Sequence, residues 1–311
     1  MHLLVTGGAG FVGSRIAIAL EHEGHDVTIV DRTPHAGNLQ EFRGKILEAD
    51  ISIPEYFDSF VEKVDCVFHQ AACTDTTVTD ETFMRRQNVD AFLALLRWAE
   101  RSGADVIYAS SAAVYGTAPS PQQVGVAECP LNAYGRSKLM TDEEVRRRIA
   151  ASPIKIIGLR YFNVYGPGEA HKKHMASMIH RLAAQMHAGE RPRIFTDGEQ
   201  RRDQIYVDDV VQANLLALKA PRERSGIYNV GTGHAVSFNA IVRELNAVLG
   251  MNLEPSYFEN PYPFYQNHTE ADIASTTDAL GFSPRFDLAS GIRAYALSPH
   301  DPPKRRGNGR Y

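Results

Sequence analysis

The chain has 311 residues, 43% hydrophobic and 23% charged, with 24 glycines and 16 prolines, a globular balance that excludes disorder, collagen-like repetition and coiled coil. Its 33 basic and 37 acidic side chains leave a formal charge of −4, so no whole-molecule field draws it onto nucleic acid or anionic lipid. The three cysteines form no C-x-x-C pair, no secretory signal precedes Leu3, and no apolar run approaches the roughly 20 residues of a membrane span, so a cytoplasmic chain with neither nucleic acid nor membrane as partner is expected.

In chain order, short apolar runs begin near His2, Asp26, Lys45, Asp65, Asp105 and Lys155, each of a length suited to a strand buried on both faces. Helical patterns separate them. The clearest spans Asp80 to Arg101, with Phe83, Phe92, Leu95, Leu96 and Ala99 near helical spacing. Another runs from Ala133 to Ala150, and its charges, Asp142, Glu143, Glu144 and Arg146 to Arg148, read as a solvated outer face. This alternation predicts the α/β class and a Rossmann-type, doubly wound parallel sheet over residues 1–165. From residue 166 the pattern loosens into short strands, Gln204–Val207 and Gly226–Val230, among helices and Pro-containing loops. That predicts a smaller mixed α/β lobe over 166–300, from which a strand or helix is free to return to the first sheet. Residues 301–311 carry no apolar content to pack and are expected to form a flexible tail.

The first strand runs into Val5-Thr6-Gly7-Gly8-Ala9-Gly10-Phe11-Val12-Gly13, followed by a helical run from Ser14. Glycines at 7, 10 and 13 permit a tight turn, close approach of backbone N–H groups to a pyrophosphate, and close helix-on-strand packing. The second strand ends in Asp31, eighteen residues after Gly13, where an acid accepts hydrogen bonds from ribose hydroxyls. Together these predict that residues 1–165 form a dinucleotide-binding domain. The cofactor reads as NAD or NADP: Asp31 repels a 2′-phosphate and tilts the balance to NAD, whereas Arg32 is able to pair with that phosphate. Asp50, at the end of the third strand, is a candidate contact on the adenine side.

Tyr134 and Lys138 lie one helical turn apart, so both project from one helix face. The strand before them ends in Ala109-Ser110-Ser111, at the carboxyl edge of the sheet where open α/β folds bind ligands. A phenol with a pKa near 10 is a poor base at neutral pH, and a neighbouring ammonium is expected to lower it. Tyr134 then takes the proton of a substrate alcohol as hydride leaves for the nicotinamide, with Ser111 holding the oxygen and Lys138 on the nicotinamide ribose. No metal site is read, because His69 with Cys73, and His171 with His174, lack further ligands.

With Gly-x-x-Gly-x-x-Gly, a Ser and Tyr-x-x-x-Lys in this order, the chain resembles the extended short-chain dehydrogenase/reductase superfamily over nearly its whole length. The stretches His69-Gln70-Ala71-Ala72, Asn88, Arg160 to Pro167 and Arg202 to Asp209 are similar to those of its nucleotide-sugar epimerases and dehydratases. The resemblance implies cofactor contacts from Gly7, Gly10, Phe11, Val12, Gly13, Asp31, Arg32, Asp50, Ile51, Ala71, Ala72, Asn88, Tyr134 and Lys138. Ala112 and Ala113 stand where a 4,6-dehydratase of this group carries Asp-Glu, which argues against dehydration.

Ala72 to Thr77, Glu169 to Ser177 and Tyr265 to Asp272 extend the likeness to the heptose 6-epimerases of the group. It implies a nucleotide-diphosphate-sugar substrate held by Thr74, Ser111, Asn163, His171, Arg202 and Tyr265, with Asn163 and Arg202 near the diphosphate. It also implies inversion of a carbinol carbon, C6 of an NDP-glycero-manno-heptose, by transient oxidation, with Lys172 as a second acid/base and a homo-oligomeric assembly. Gly168, Lys173, His174 and Arg32-Thr33-Pro34 depart from the subgroup pattern at the substrate mouth and the cofactor 2′ position. Two alternatives stand beside this expectation: a nucleotide-sugar 4-epimerase or reductase and, from another class, a catalytically silent dinucleotide-binding sensor.

Overall fold

Strands and helices alternate from the first residues of the computed structural model, which describes residues 1–33, 36–53, 55–260 and 266–298. Tyr265 and the tail 301–311 lie outside the described residues. The first half runs β1 (His2–Thr6), α1 (Phe11–His22), β2 (Asp26–Asp31), β3 (Lys45–Glu48), α2 (Glu55–Ser59) and β4 (Cys66–His69). It continues with α3 (Glu81–Arg85), a wide π-turn over Arg86–Asp90, α4 (Ala91–Ser102), β5 (Asp105–Ser111), α5 (Ala133–Arg148) and β6 (Ile156–Tyr161). The single helix expected from Asp80 to Arg101 is thus two helices joined through one wide turn. The second half contains β7 (Asn163–Tyr165), α6 (Met178–His187), β8 (Arg193–Phe195), β9 (Arg201–Tyr206), α7 (Val207–Lys219) and β10 (Gly226–Val230). It ends with β11 (Ala235–Ser237), α8 (Phe238–Leu249), β12 (Ser256–Phe258), β13 (His268–Thr269), α9 (Ala274–Leu280) and α10 (Leu288–Leu297).

Seven parallel strands form the main sheet in the order β10-β6-β5-β4-β1-β2-β3. Alternate residues of a strand face opposite sides, so Leu3 and Val5 pack with Ile16, Leu20 and Val210 on one face. Leu4 packs with Phe92, Leu95 and Trp98 on the other. Both layers are buried over β1, β2, β4, β5 and β6, which is why these strands read as unbroken apolar runs, whereas the edge strand β3, expected to be buried on both faces, is mostly exposed. The chain winds outward from β1 to β3, then from β4 to β6, so the order reverses between β1 and β4. A crevice at the carboxyl ends of those two strands follows from that reversal.

The second half supplies a four-stranded sheet in which β9 pairs with β7, β11 and β13, and a two-stranded one of β8 and β12. Its own core gathers Tyr165, Ile179, Leu182, Phe238 and Ile241. Gly226–Val230, read above with the second lobe, instead pairs in parallel with β6 as the edge strand of the main sheet, and α7 packs against α1. Among the described residues no helix is long and apolar enough to cross a membrane.

Candidate active site

One cleft of about 450 Å³ opens at the carboxyl ends of β1, β2, β4 and β5, where the strand order reverses. The Gly-rich turn forms its floor. Gly7 has a left-handed φ of 67°, a Cβ there would fall 2.6 Å from Ala71 N, and one at Gly13 would collide with the Gly7 carbonyl. Asp31, at the end of β2, accepts hydrogen bonds from Ala9 N at 3.0 Å and Thr33 N at 3.2 Å. Arg32 is exposed and turned to Asp50, 3.5 Å from its Oδ2. Against partial burial, hydrogen bonds from Ser52 and the Arg32 charge hold the Asp50 carboxyl below its ordinary value. Two acids therefore bracket one arginine at this end of the cleft, which suits a ribose hydroxyl better than a 2′-phosphate.

The other end carries the groups expected to react. Asn132 caps α5 by accepting from Gly135 N at 2.8 Å, which sets Tyr134 in the first helical turn. Lys138, one turn on, is buried and donates from Nζ to Ala109 O at 2.8 Å, with Nζ 6.0 Å from the Tyr134 ring centroid. Ser111 lies at the end of β5, and its hydroxyl interacts with the Tyr134 phenol. The expected lowering of the phenol is not what this environment gives. Burial raises the Tyr134 pKa, the Ser111 hydrogen bond pulls against that shift, and Cys73 adds to it. Burial also brings Lys138 down to about 8, with Asp142 opposing.

Asp142 corrects the sequence reading, since it is fully buried and not part of a solvated face. It lies one turn beyond Lys138 and accepts from Tyr108 Oη at 2.8 Å, Ser110 Oγ at 2.9 Å and Arg160 Nε at 2.8 Å. Arg160, itself fully buried, also donates to Glu128 at 2.5 Å, and Arg146 binds Glu128 with two bonds of 2.7 Å. Burial would raise the Glu128 pKa, but the two guanidinium groups hold it down to about 2. Nothing in local spacing announces this network, because Asp142 and Arg160 stand 18 residues apart.

All expected cofactor residues except Asn88 line the cleft, and so do Thr74, His171 and Lys172. Asn88 is buried beneath it, accepting from Cys73 N at 2.8 Å and donating to Cys73 O at 3.0 Å and Ser137 Oγ at 3.0 Å. It therefore shapes the wall. Asn163 donates to Asp203 O at 2.9 Å, and Arg202 is buried with Nη1 on Arg201 O at 2.7 Å, so both sit in the sheet of the second lobe, outside the cleft lining. Lys172 Nζ stands 5.7 Å over the Phe11 ring, and burial lowers its pKa while Glu169 opposes. Gln70 was quoted in the sequence motif without a role. It lines the cleft with a buried Nε2 that has no hydrogen-bond partner among the described residues, a donor available to a ligand atom. The glycine cradle, the acid at the tip of β2 and this orphan donor fit a nicotinamide dinucleotide.

Residues 3–231 match the model of the NAD dependent epimerase/dehydratase family. The ADP-L-glycero-D-manno-heptose-6-epimerase of Alkalilimnicola ehrlichii is 39% identical over 323 residues, covering 97% of this chain and 98% of that protein. The crystal structure of the Helicobacter pylori enzyme of the same name is 41% identical, with a TM-score of 0.88 and 94% of each chain covered. UDP-glucuronic acid 4-epimerase from Bacillus cereus, solved with UDP-glucuronic acid and NAD, is 28% identical with a TM-score of 0.84, covering 95% of this chain and 98% of that one.

Proposed function

The chain belongs to the NAD-dependent epimerase/dehydratase family, and from that premise we propose that it inverts C6 of an ADP-glycero-manno-heptose by transient oxidation. One observation carries this reading: Ser111, Tyr134 and Lys138 from the first lobe and His171 and Lys172 from the second line a single cleft with the Gly-rich turn. Residues 1–165 hold the dinucleotide and 166–300 mainly the nucleotide sugar, with Asn163 and Arg202 near its diphosphate. Bound NAD supplies the hydride acceptor and then the hydride donor.

Tyr134 Oη takes the proton of the C6 hydroxyl as that carbon is oxidised, and the Ser111 hydroxyl donates to the same oxygen. Since burial raises the phenol in the protein alone, its basic form draws on the positive charge of Lys138 and of the oxidised dinucleotide. C6 is exocyclic, so the ketone can turn about one single bond and offer its opposite face. Lys172, with a pKa lowered by burial, then gives the proton that restores the alcohol. The same reading makes the enzyme a cytoplasmic homo-oligomer whose Cys66, Cys73 and Cys129 stay as free thiols.

The test incubates the purified protein with one C6 epimer of ADP-glycero-manno-heptose, and separately with UDP-hexoses, without added cofactor, and follows stereochemistry by NMR. C6 inversion with no net NADH change is expected. Inversion at C4 of a UDP-hexose alone, net NADH consumption, or silence on every substrate would each replace the reading. Tyr134→Phe should cut turnover by roughly 10³-fold while the dinucleotide stays bound.

A further inference from the structure

We infer that Asn214 and Tyr161 form a relay that fixes the Gln70 amide, so that its Nε2 donates to an oxygen of the dinucleotide's pyrophosphate or nicotinamide ribose. The inference rests on the reading of the cleft as a dinucleotide site and adds two positioning residues to it. Gln70 follows β4 directly, and its N–H continues the ladder by donating to Thr6 O at 3.0 Å. Its main chain lies against the Gly-rich turn, since a Cβ on Gly7 would fall 2.9 Å from Gln70 C. An amide at this position stands beside the turn that suits a pyrophosphate, whereas Asp31 serves the adenosine ribose at the tip of β2.

The direction of that amide is decided from α7. Asn214, fully buried, donates from Nδ2 to Val210 O at 2.8 Å and to Tyr161 Oη at 2.8 Å. A carbonyl only accepts, so Nδ2 and not Oδ1 is the atom held at that place. Tyr161 Oη therefore accepts from Asn214 and has one proton to give, which goes to Gln70 Oε1 at 3.1 Å. Burial raises the Tyr161 pKa against the pull of its hydrogen bonds with Asn214 and Gln70, so the phenol keeps that proton at neutral pH.

With Oε1 engaged, Nε2 is the atom left over. It is buried without a hydrogen-bond partner among the described residues, and both Gln70 and Tyr161 line the cleft. Were the amide turned over, Nε2 would meet the phenol oxygen as a second donor beside Asn214, and the phenol proton would lose its acceptor. A buried N–H is costly until an acceptor reaches it, and a dinucleotide brings phosphate and hydroxyl oxygens. A donor held in place beforehand also loses little rotamer freedom when the ligand arrives. The three side chains come from β4, β6 and α7, so no local spacing reveals the relay.

The experiment measures binding of NADH by fluorescence, and of adenosine by NMR line broadening, to the whole chain freed of bound nucleotide. Adenosine has neither pyrophosphate nor second ribose, so it reports the state of the adenine end without the relay. Gln70→Leu should weaken NADH binding about tenfold and Tyr161→Phe about threefold or more. The double variant should match Gln70→Leu, because Tyr161 acts through Gln70. Adenosine binding should stay within about twofold of the parent in all three. NADH binding within about twofold of the parent in both single variants, equal weakening of adenosine, or losses that multiply in the double variant would each overturn the relay. If Gln70→Leu does not fold, Tyr161→Phe, which removes one oxygen, decides by the same comparison of NADH with adenosine. A parent protein that binds no NADH would overturn the dinucleotide reading and the relay with it, whereas binding that the variants leave intact sinks the relay alone.

Discussion

Helix α5 and the loop 166–177 each bring a lysine to the same cleft, and each is anchored by carboxylates with little or no exposure, but by opposite means. On the α5 side, Asp142 and Glu128 are matched by Arg160 and Arg146, so full charges meet full charges. On the loop side, Glu169 is held by two backbone N–H groups and one hydroxyl, and among the described residues no Lys or Arg forms an ion pair with it. The pKa shifts record the difference. Guanidinium groups prevail over burial at Glu128, whereas burial prevails at Glu169 and raises its pKa despite the hydrogen bonds. The wall bearing Tyr134 is thus fixed by ion pairs, and the wall bearing Lys172 by dipoles that accept a protonated acid at less cost.

Three measurements would break or sharpen that contrast. The largest effect is expected from Asp142→Asn, which leaves Arg160 buried with one carboxylate fewer and should cost about 3–5 kcal/mol in denaturant unfolding; a loss under about 1 kcal/mol would show that the ion pairs do not anchor α5. Next comes acid titration of the parent against Glu128→Gln. A depressed native pKa stabilises above the unfolded value and loses that contribution as pH falls through the native one. The parent should therefore forfeit up to about 3 kcal/mol relative to the variant between pH ~4.5 and the native value of about 2. Parallel stability curves would refute charge pairing at Glu128. The smallest effect belongs to Glu169→Gln, about 1 kcal/mol at neutral pH. Its pH dependence should have the opposite sign, because a raised native pKa makes the parent gain on the variant as pH is lowered from 7.

Much of this site was legible because its chemistry sits at strand ends and within one helical turn. The Gly-rich turn, Asp31, Ser111, Tyr134 and Lys138 are fixed by local patterns, and the sheet brings them to one edge without further information. The buried face of α5 was not legible. Asp142 is one of several charges in a run, and only the approach of Arg160 from β6 and Tyr108 from β5 turns it inward. Gly168 reads as a departure at the substrate mouth, and no local pattern shows that a Cβ there would approach Asn38 and Phe11 of the first lobe. The phenol shift was misjudged for a related reason: spacing reveals a lysine one turn away but not the desolvation that raises the phenol against the Ser111 hydrogen bond.

Strand β10 covers the edge of β6 with residues that come long after that edge has been made. A nascent chain leaving the ribosome at roughly 5–20 residues per second exposes the rim of β6 for several seconds before Val230 emerges. Throughout that interval a row of unpaired peptide groups is available to any passing extended segment. Expression yield should therefore respond to translation speed through the stretch coding for β7 to α7, and a fragment ending before β10 should go to inclusion bodies even though every part of the Gly-rich turn is in it.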